Sequence, residues 1–174
     1  MGGAGGDLAG TYPNPTVATV GGLKPARVVA ASAVAASVTG TTAETTLGSI
    51  ALPASLLSAN GRLRGFADFS FTANTDTKTF FIRLAGTEIT GSGYVINTSS
   101  MGGLTLEFEI MNRNSASSQY TRKRGNPSTG SLFPSYGTTS VNTANAQTLT
   151  FSAQLGTSSD TITLNAFSLE VLNP

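Results

Sequence analysis

The stretch 104-LTLEFEIM-111 decides the fold, because its side chains alternate along the chain. One side of the extended segment carries only apolar residues, namely Leu104, Leu106, Phe108 and Ile110. The other side carries Thr105, Glu107, Glu109 and Met111. A repeat of two residues is the signature of an antiparallel strand with one buried face. The sequence therefore predicts a sheet that covers a core with one face and meets solvent with the other.

The same repeat recurs on both sides of this strand. It groups apolar side chains at Leu63, Ala67, Phe69 and Phe71, at Phe80, Ile82 and Leu84, and at Leu149, Phe151, Ala153 and Leu155. Phe66 interrupts the alternation, since it puts an aromatic ring on the face of Arg62, Arg64, Asp68 and Ser70. Further strands are predicted at 28–38, as an edge or interface strand, and at 46–52. Turns are predicted at Asn60-Gly61 and at 74–77.

The last apolar run of the chain changes phase. Ile162, Leu164 and Ala166 have one parity, whereas Phe167, Leu169 and Val171 have the other. A slip of one residue turns side chains to the opposite face, so we expect either a β-bulge near Ala166 or a strand buried on both sides. No stretch has a helical period over three turns. The pattern predicts an all-β fold, an antiparallel jelly-roll-like β-sandwich over residues 26–174.

The composition of the chain restricts the classes of function that this domain could have. The chain has 174 residues, no cysteine and no histidine, so it lacks the commonest general base and the commonest metal ligand. Charged residues make up 11% of the chain, against a usual share of about 25%. With a net charge of +1, no strong field would attract nucleic acid or a membrane. We expect a structural or binding protein without enzymatic activity or cofactor, whose surface suits subunit contacts or neutral glycans.

Residues 1–25 differ from the rest of the chain. Glycine and proline recur so often here that a regular element is disfavoured, and Pro13 and Pro15 bias the residues before them toward extended geometry. Such a segment cannot bury a core alone. The sequence therefore predicts an extended N-terminal arm that a partner would order.

A motif inside this arm carries a family resemblance. Residues 6–17 read GDLAGTYPNPTV and resemble the GDLSGTYPNPTV segment of phage tail fibres, head fibres and related virion proteins, with Ala9 where serine is usual. The resemblance implies a virion protein, assembled in the host cytoplasm as a homotrimer and bound to capsid or tail proteins. The implied attachment residues are Asp7, Leu8, Thr11, Tyr12, Pro13, Asn14 and Pro15. The short chain favours a capsid decoration or head-fibre protein, and the alternative is a tail-associated tip that recognises host surface glycan.

A second group of candidate residues lies in the domain. Arg122-Lys123-Arg124 is the only basic cluster, with Tyr120 beside it, and 125–140 is a Gly/Pro/Ser/Thr-rich stretch that includes Phe133 and Tyr136. We interpret this region as a ligand or partner loop. The basic cluster suits phosphate, nucleic acid or a carboxylate patch of a partner, and Tyr120 suits stacking on a sugar or base. The alternatives are a charged loop or edge strand that resists unwanted pairing, and aromatic residues that fold back onto the core.

Glu107 and Glu109 raise a third hypothesis. Same-face neighbours on a strand lie about 7 Å apart, a spacing found for glycosidase carboxylates. Period-two alternation alone also places polar residues there, as a solvated strand face. Because nothing else in the sequence completes an active site, we predict no catalytic residues.

Overall fold

The computed structural model describes residues 5–6, 8–9, 16–20, 23–127 and 133–173. These residues form only β-strands and connecting segments. The strands are β1 (Leu8–Ala9), β2 (Thr16–Val17), β3 (Arg27–Ser32), β4 (Ala36–Val38), β5 (Thr45–Leu52), β6 (Arg62–Phe71), β7 (Lys78–Leu84), β8 (Thr87–Glu88), β9 (Tyr94–Ile96), β10 (Gly103–Asn112), β11 (Gln119–Pro127), β12 (Phe133–Thr139), β13 (Gln147–Leu155) and β14 (Ile162–Leu172). No bilayer-spanning helix is found among the described residues.

Two antiparallel sheets make up the domain. The first sheet has the strand order β12-β11-β10-β6-β14-β3, with β4 also paired to β14. The second sheet has the order β5-β13-β7-β8, with β9 also paired to β7. Neighbours in sequence often lie in different sheets, as β13 and β14 do, so the chain crosses repeatedly between the layers. The predicted all-β, jelly-roll-like sandwich is confirmed.

Aromatic rings fill the space between the sheets. Phe80 of the second sheet packs on Phe69 and Phe71 of the first, with ring centroids 5.0 Å and 5.5 Å apart. Phe151 of the second sheet meets Phe108 at 5.8 Å in an edge-to-face contact. The predicted apolar positions of β6, β7, β10 and β13 are all buried in this core. The local repeat of two therefore identified the core face of each strand.

The phase change near the C-terminus is a β-bulge. The pairing of β14 with β6 shifts by one residue between Leu164 and Ala166, close to the predicted position. The edge strands follow the same break, since β4 pairs with Ile162–Leu164 and β3 pairs with residues 167–171. The prediction of one continuous strand over 28–38 is therefore wrong. The edge is split at 33–35 because its partner strand changes phase there.

Close packing beside the bulge depends on a glycine. A β-carbon on Gly65 would lie 2.3 Å from the main-chain oxygen of Ser168 and 2.9 Å from the ring of Phe108. No real side chain tolerates such contacts without a backbone shift. Gly65 thus lets β6 and β14 approach each other under the outer surface of the first sheet.

A buried ion pair lies at one end of the sandwich. Lys78 Nζ is 2.8 Å from Asp160 Oδ2, and both side chains are buried. Asn74, in the predicted turn at 74–77, donates a second hydrogen bond to Asp160 at 2.8 Å. The hydrogen bond from Lys78 lowers the pKa of Asp160 from its ordinary value of 3.8, although burial opposes this effect. The pair ties the start of β7 to the segment before β14.

The N-terminal segment contributes one short ladder. Leu8 and Ala9 of β1 pair with Val17 and Thr16 of β2 in antiparallel fashion. A two-residue ladder has little stability alone. Asp7, Thr11, Tyr12, Pro13, Asn14 and Pro15 lie outside the described residues, so their attachment role stays a prediction.

Candidate functional site

The outer face of the first sheet carries a row of charges in exact cross-strand register. Five neighbouring strands each contribute one residue, in the order Glu170, Arg64, Glu109, Arg122 and Tyr136. Signs alternate along this charge row, and opposite charges on adjacent strands attract each other. The period-two pattern puts these polar residues outside, because their chain neighbours fill the core.

Ion pairs hold the charge row in place. Arg64 Nη2 lies 2.9 Å from Glu170 Oε2, and Arg122 Nε lies 2.7 Å from Glu109 Oε2. Glu109 also lies 3.6 Å from Arg62 Nη1, so one carboxylate serves two guanidinium groups. Because the arginines of these pairs are 45–54% exposed, the pairs add little stability, about 0–1 kcal/mol each. Their effect is to fix donors and acceptors at defined positions on the surface.

A second row lies beside the first and contains an aromatic ring. Its members, again one for each strand, are Ser168, Phe66, Glu107, Arg124 and Pro134. Arg124 forms an ion pair with Glu107. Next to Phe66 on the same strand, Asp68 accepts a hydrogen bond of 2.6 Å from the hydroxyl of Thr105.

The two rows line a depression of about 760 Å³, which we call the groove. Its walls come from the outer faces of β6, β10, β11, β12 and β14. Such a volume suits a small ligand or a few sugar units, since ligand sites in proteins span about 300–1,000 Å³. An aromatic pair stands at one side, where Tyr136 stacks on Tyr120 with centroids 6.2 Å apart and an interplanar angle of 22°. Tyr136 also lines the groove.

The structure brings four of the predicted ligand residues together on one face. Tyr120, Arg122, Arg124 and Tyr136 all point outward from β11 and β12. They lie on paired strands, so the predicted loop over 125–140 is wrong where β12 pairs with β11 from Phe133 to Thr139. The side chain of Phe133 lies outside the described part of the chain. Of the seven predicted attachment residues of the arm, only Leu8 is described, in β1.

Lys123 does not belong to the groove's charged surface. Alternation along β11 turns it inward, where its side chain is fully buried and its Nζ lies 2.5 Å from Glu88 Oε1. It also donates to the main-chain oxygen of Ser92 at 2.8 Å, and Glu88 accepts a hydrogen bond from the Ile82 N–H. The interpretation of 122–124 as one basic cluster is therefore corrected. Two arginines face solvent, and the lysine between them lies inside the sandwich.

Burial shifts the pKa values of both partners of this buried Lys123–Glu88 pair. Loss of solvent raises the pKa of Glu88 above its ordinary value and lowers the pKa of Lys123. In each case the attraction of the partner offsets part of the shift. The pair holds β8 of the second sheet against β11, directly behind the groove.

The side chains of the groove suit the binding of a ligand better than the cleavage of a sugar bond. Glu107 and Glu109 are each engaged by an arginine, whereas glycosidase carboxylates face the sugar bond from both sides. Within the described ranges, no cluster of three or more acidic side chains could hold a metal ion. The outer face of the first sheet presents carboxylate acceptors, guanidinium donors and aromatic rings at fixed spacing.

Phe66, Arg64 and Glu170 were not among the predicted site residues. The interrupted alternation at Phe66 was the available signal, since an aromatic side chain on a polar face has no core to fill. No comparable signal joins Arg64 to Glu170, because 106 positions separate them in the chain.

Comparisons with known proteins give only distant similarities of fold. No family model matches the sequence, and no curated protein matches it. Among solved structures, a seed lectin of Lotus tetragonolobus is 11% identical with a TM-score of 0.44, over 85% of this chain and 92% of the lectin. Arcelin-5 of Phaseolus vulgaris, a lectin-like defence protein, is 10% identical with a TM-score of 0.42, over 85% and 92% of the two chains. Lectin I of Ulex europaeus, solved with a methyl glycoside of α-L-fucose, is 11% identical with a TM-score of 0.39, over 88% and 94%.

Proposed function

We propose that this chain is a non-enzymatic phage virion protein whose β-sandwich binds glycan in the groove. The observation that carries the glycan part is the groove itself, where fixed carboxylates and guanidinium groups surround aromatic side chains. The virion part is supported by the resemblance of residues 6–17 to phage fibre segments. Together they describe a module that attaches through its N-terminal arm and presents the first sheet to a host surface.

The chemistry of sugars matches this face. A sugar has hydroxyl groups around its rim and faces of C–H groups, so it needs directed hydrogen bonds together with an apolar platform. Carboxylate oxygens accept hydroxyl protons and guanidinium groups donate to hydroxyl oxygens. Tyr136 is 57% exposed and lines the groove, so its ring is accessible as a platform.

Glycan binding is tested with the full chain on a glycan array, followed by calorimetry on the glycans that bind. We expect Tyr136→Ala to weaken binding about tenfold or more, because aromatic anchors contribute a large part of the affinity in such sites. Val95→Ala is the matched control, since Val95 is exposed on β9 of the second sheet. The absence of any bound glycan, or equal effects of the two variants, would refute this function.

A second candidate function is supported by exposed apolar residues in the N-terminal part of the chain and by the outer edge of β3. We propose on this ground a homotrimeric capsid decoration or head-fibre protein. Among the described residues, five of the six strongly exposed large aliphatic side chains lie within 17–34: Val17, Val20, Leu23, Val28 and Val34. Among the described residues, strand β3 pairs only with β14, and Val28 lies on this strand. Exposed apolar residues and an open strand edge are both typical of a surface that binds another chain.

Assembly is tested by sedimentation of the full chain at micromolar concentration. We expect a trimer, and we expect Val28→Asp to shift it toward monomer because a charge would be buried at the contact. Val95→Asp, the same substitution at an exposed valine of the second sheet, should leave the trimer intact. A wild-type chain that sediments as a monomer would contradict this candidate, whereas density at regular capsid positions in purified particles would support it.

A further inference from the structure

The groove has a charge balance that limits what it can bind. Its lining contains the guanidinium groups of Arg64, Arg122 and Arg124 and the carboxylates of Asp68, Glu107, Glu109 and Glu170. Lys123 also lines the groove, but its ammonium group is buried on the core face with Glu88. The lining thus carries three positive charges against four negative ones.

Each of the three arginines is already engaged by a carboxylate of the adjacent strand. Arg64 binds Glu170, Arg122 binds Glu109 and Arg124 binds Glu107. An anionic ligand would have to displace one of these carboxylates and would then lie close to it. An uncharged hydroxyl can instead use the remaining N–H groups and lone pairs without breaking a pair.

One aromatic ring in the groove has no partner. Phe66 lies between Arg64 and Asp68 along β6, and no ring or guanidinium group of the described residues stacks on it. Phe81 is its counterpart on the outer face of the second sheet. There the guanidinium of Arg83 lies over the ring, 4.7 Å from its centroid. The ring of Phe66 is half-buried, lines the groove, and is flanked by Glu107 on β10 and Ser168 on β14.

We infer that the groove selects uncharged sugars, with a pyranose ring stacked on Phe66 and its hydroxyl groups bound by the Glu107–Arg124 pair. This inference rests on the proposed glycan-binding function and names its ligand class. Burial of the C–H face of the sugar against Phe66 supplies the apolar part of the affinity. The Glu107–Arg124 pair fixes the orientation of the sugar, since its carboxylate accepts and its guanidinium donates hydrogen bonds at fixed positions.

The test uses the full chain and two sets of probes: neutral gluco-, galacto- and manno-oligosaccharides, and matched oligosaccharides that contain uronate or sulfate. We expect the neutral set to bind and the acidic set to bind at least about tenfold more weakly. Phe66→Ala should reduce neutral-sugar affinity about tenfold or more, whereas Phe66→Tyr should retain it. Phe81→Ala is the matched control and should leave affinity unchanged. Circular dichroism verifies that each variant is folded.

The possible outcomes distinguish a failure of this inference from a failure of the proposed glycan-binding function. Binding of a glycan that depends on Tyr136 but not on Phe66, or a preference for acidic sugars, would overturn the inference and leave glycan binding intact. No binding by either probe set would overturn both. A supporting result is neutral-sugar binding that Phe66→Ala abolishes, together with a gain of acidic-sugar binding in Glu107→Gln, which frees Arg124.

Discussion

Replacement of Lys123 by methionine is expected to lower the free energy of unfolding at neutral pH by about 3–5 kcal/mol. Lys123 is fully buried, and its ammonium group is the charge partner of Glu88. Methionine keeps most of the side-chain volume but leaves the Glu88 carboxylate buried without a counter-charge. Equilibrium unfolding in urea, followed by circular dichroism, measures the loss. Arg124→Met on the same strand is the matched control, because the Arg124–Glu107 pair is exposed and contributes at most about 1 kcal/mol.

The pH dependence of this loss has a defined sign. Burial already raises the pKa of Glu88 from its ordinary value of 4.5, and removal of Lys123 raises it further. A carboxyl whose pKa is raised on folding costs stability as the pH rises from its unfolded to its folded pKa. The penalty of Lys123→Met should therefore shrink as the pH falls from neutrality toward the ordinary value of 4.5, because the buried Glu88 takes up a proton above that value and loses its charge. The double variant Lys123→Met, Glu88→Gln should recover much of the stability at neutral pH, since glutamine keeps an acceptor for the Ile82 N–H. A loss for Lys123→Met no larger than that for Arg124→Met would contradict this account.

Phe151→Ala is expected to destabilise the domain by about 3–5 kcal/mol, through lost burial and the cavity left behind. Phe151 is fully buried and contacts Phe108 at 5.8 Å and Phe167 at 5.2 Å between ring centroids. Because the three rings come from β13, β10 and β14, they join the two sheets. At about 2–4 °C for each kcal/mol in a domain of this size, the melting temperature should fall by roughly 6–20 °C.

The controls for this prediction are a smaller apolar change and an exposed aromatic. Phe151→Leu should lose clearly less than Phe151→Ala, because leucine fills most of the space between the sheets. Tyr136→Ala removes a ring that is mostly exposed and should cost less than about 1 kcal/mol. Differential scanning calorimetry compares the three variants. Similar melting temperatures for Phe151→Ala and Tyr136→Ala would show that the rings between the sheets do not hold them together.

Much of the fold could be predicted because its signal is local. Alternation over residues 104–111 and 62–71 specifies the buried face of each strand without any knowledge of its partners. The phase change in β14 was predicted for the same reason, since a change of parity is visible within one segment, and the structure decided between the two predicted explanations in favour of a bulge. The split of residues 28–38 into β3 and β4 was not visible there, because the break follows the phase of β14.

The site was only partly predictable, and one signal was missed. The alternation that identified the core also separates Arg122 and Arg124 from Lys123, once 119–127 is recognised as a strand. Gly125 and Pro127 within this stretch favoured a loop instead. In the structure, β11 continues to Pro127 because β10 pairs with it from Asn112 to Leu104. Tertiary pairing thus overrode the local turn preference.

The sequence by itself determined the fold class, the apolar face of most strands and the phase change near Ala166. These features depend on a period of two and on burial, which act between residues close in the chain. Only the tertiary structure decided which charges meet, such as Arg64 with Glu170 and Glu88 with Lys123. Their contacts depend on strand order and register between distant segments. The packing of the whole core sets that register, since exposed ion pairs are too weak to specify it.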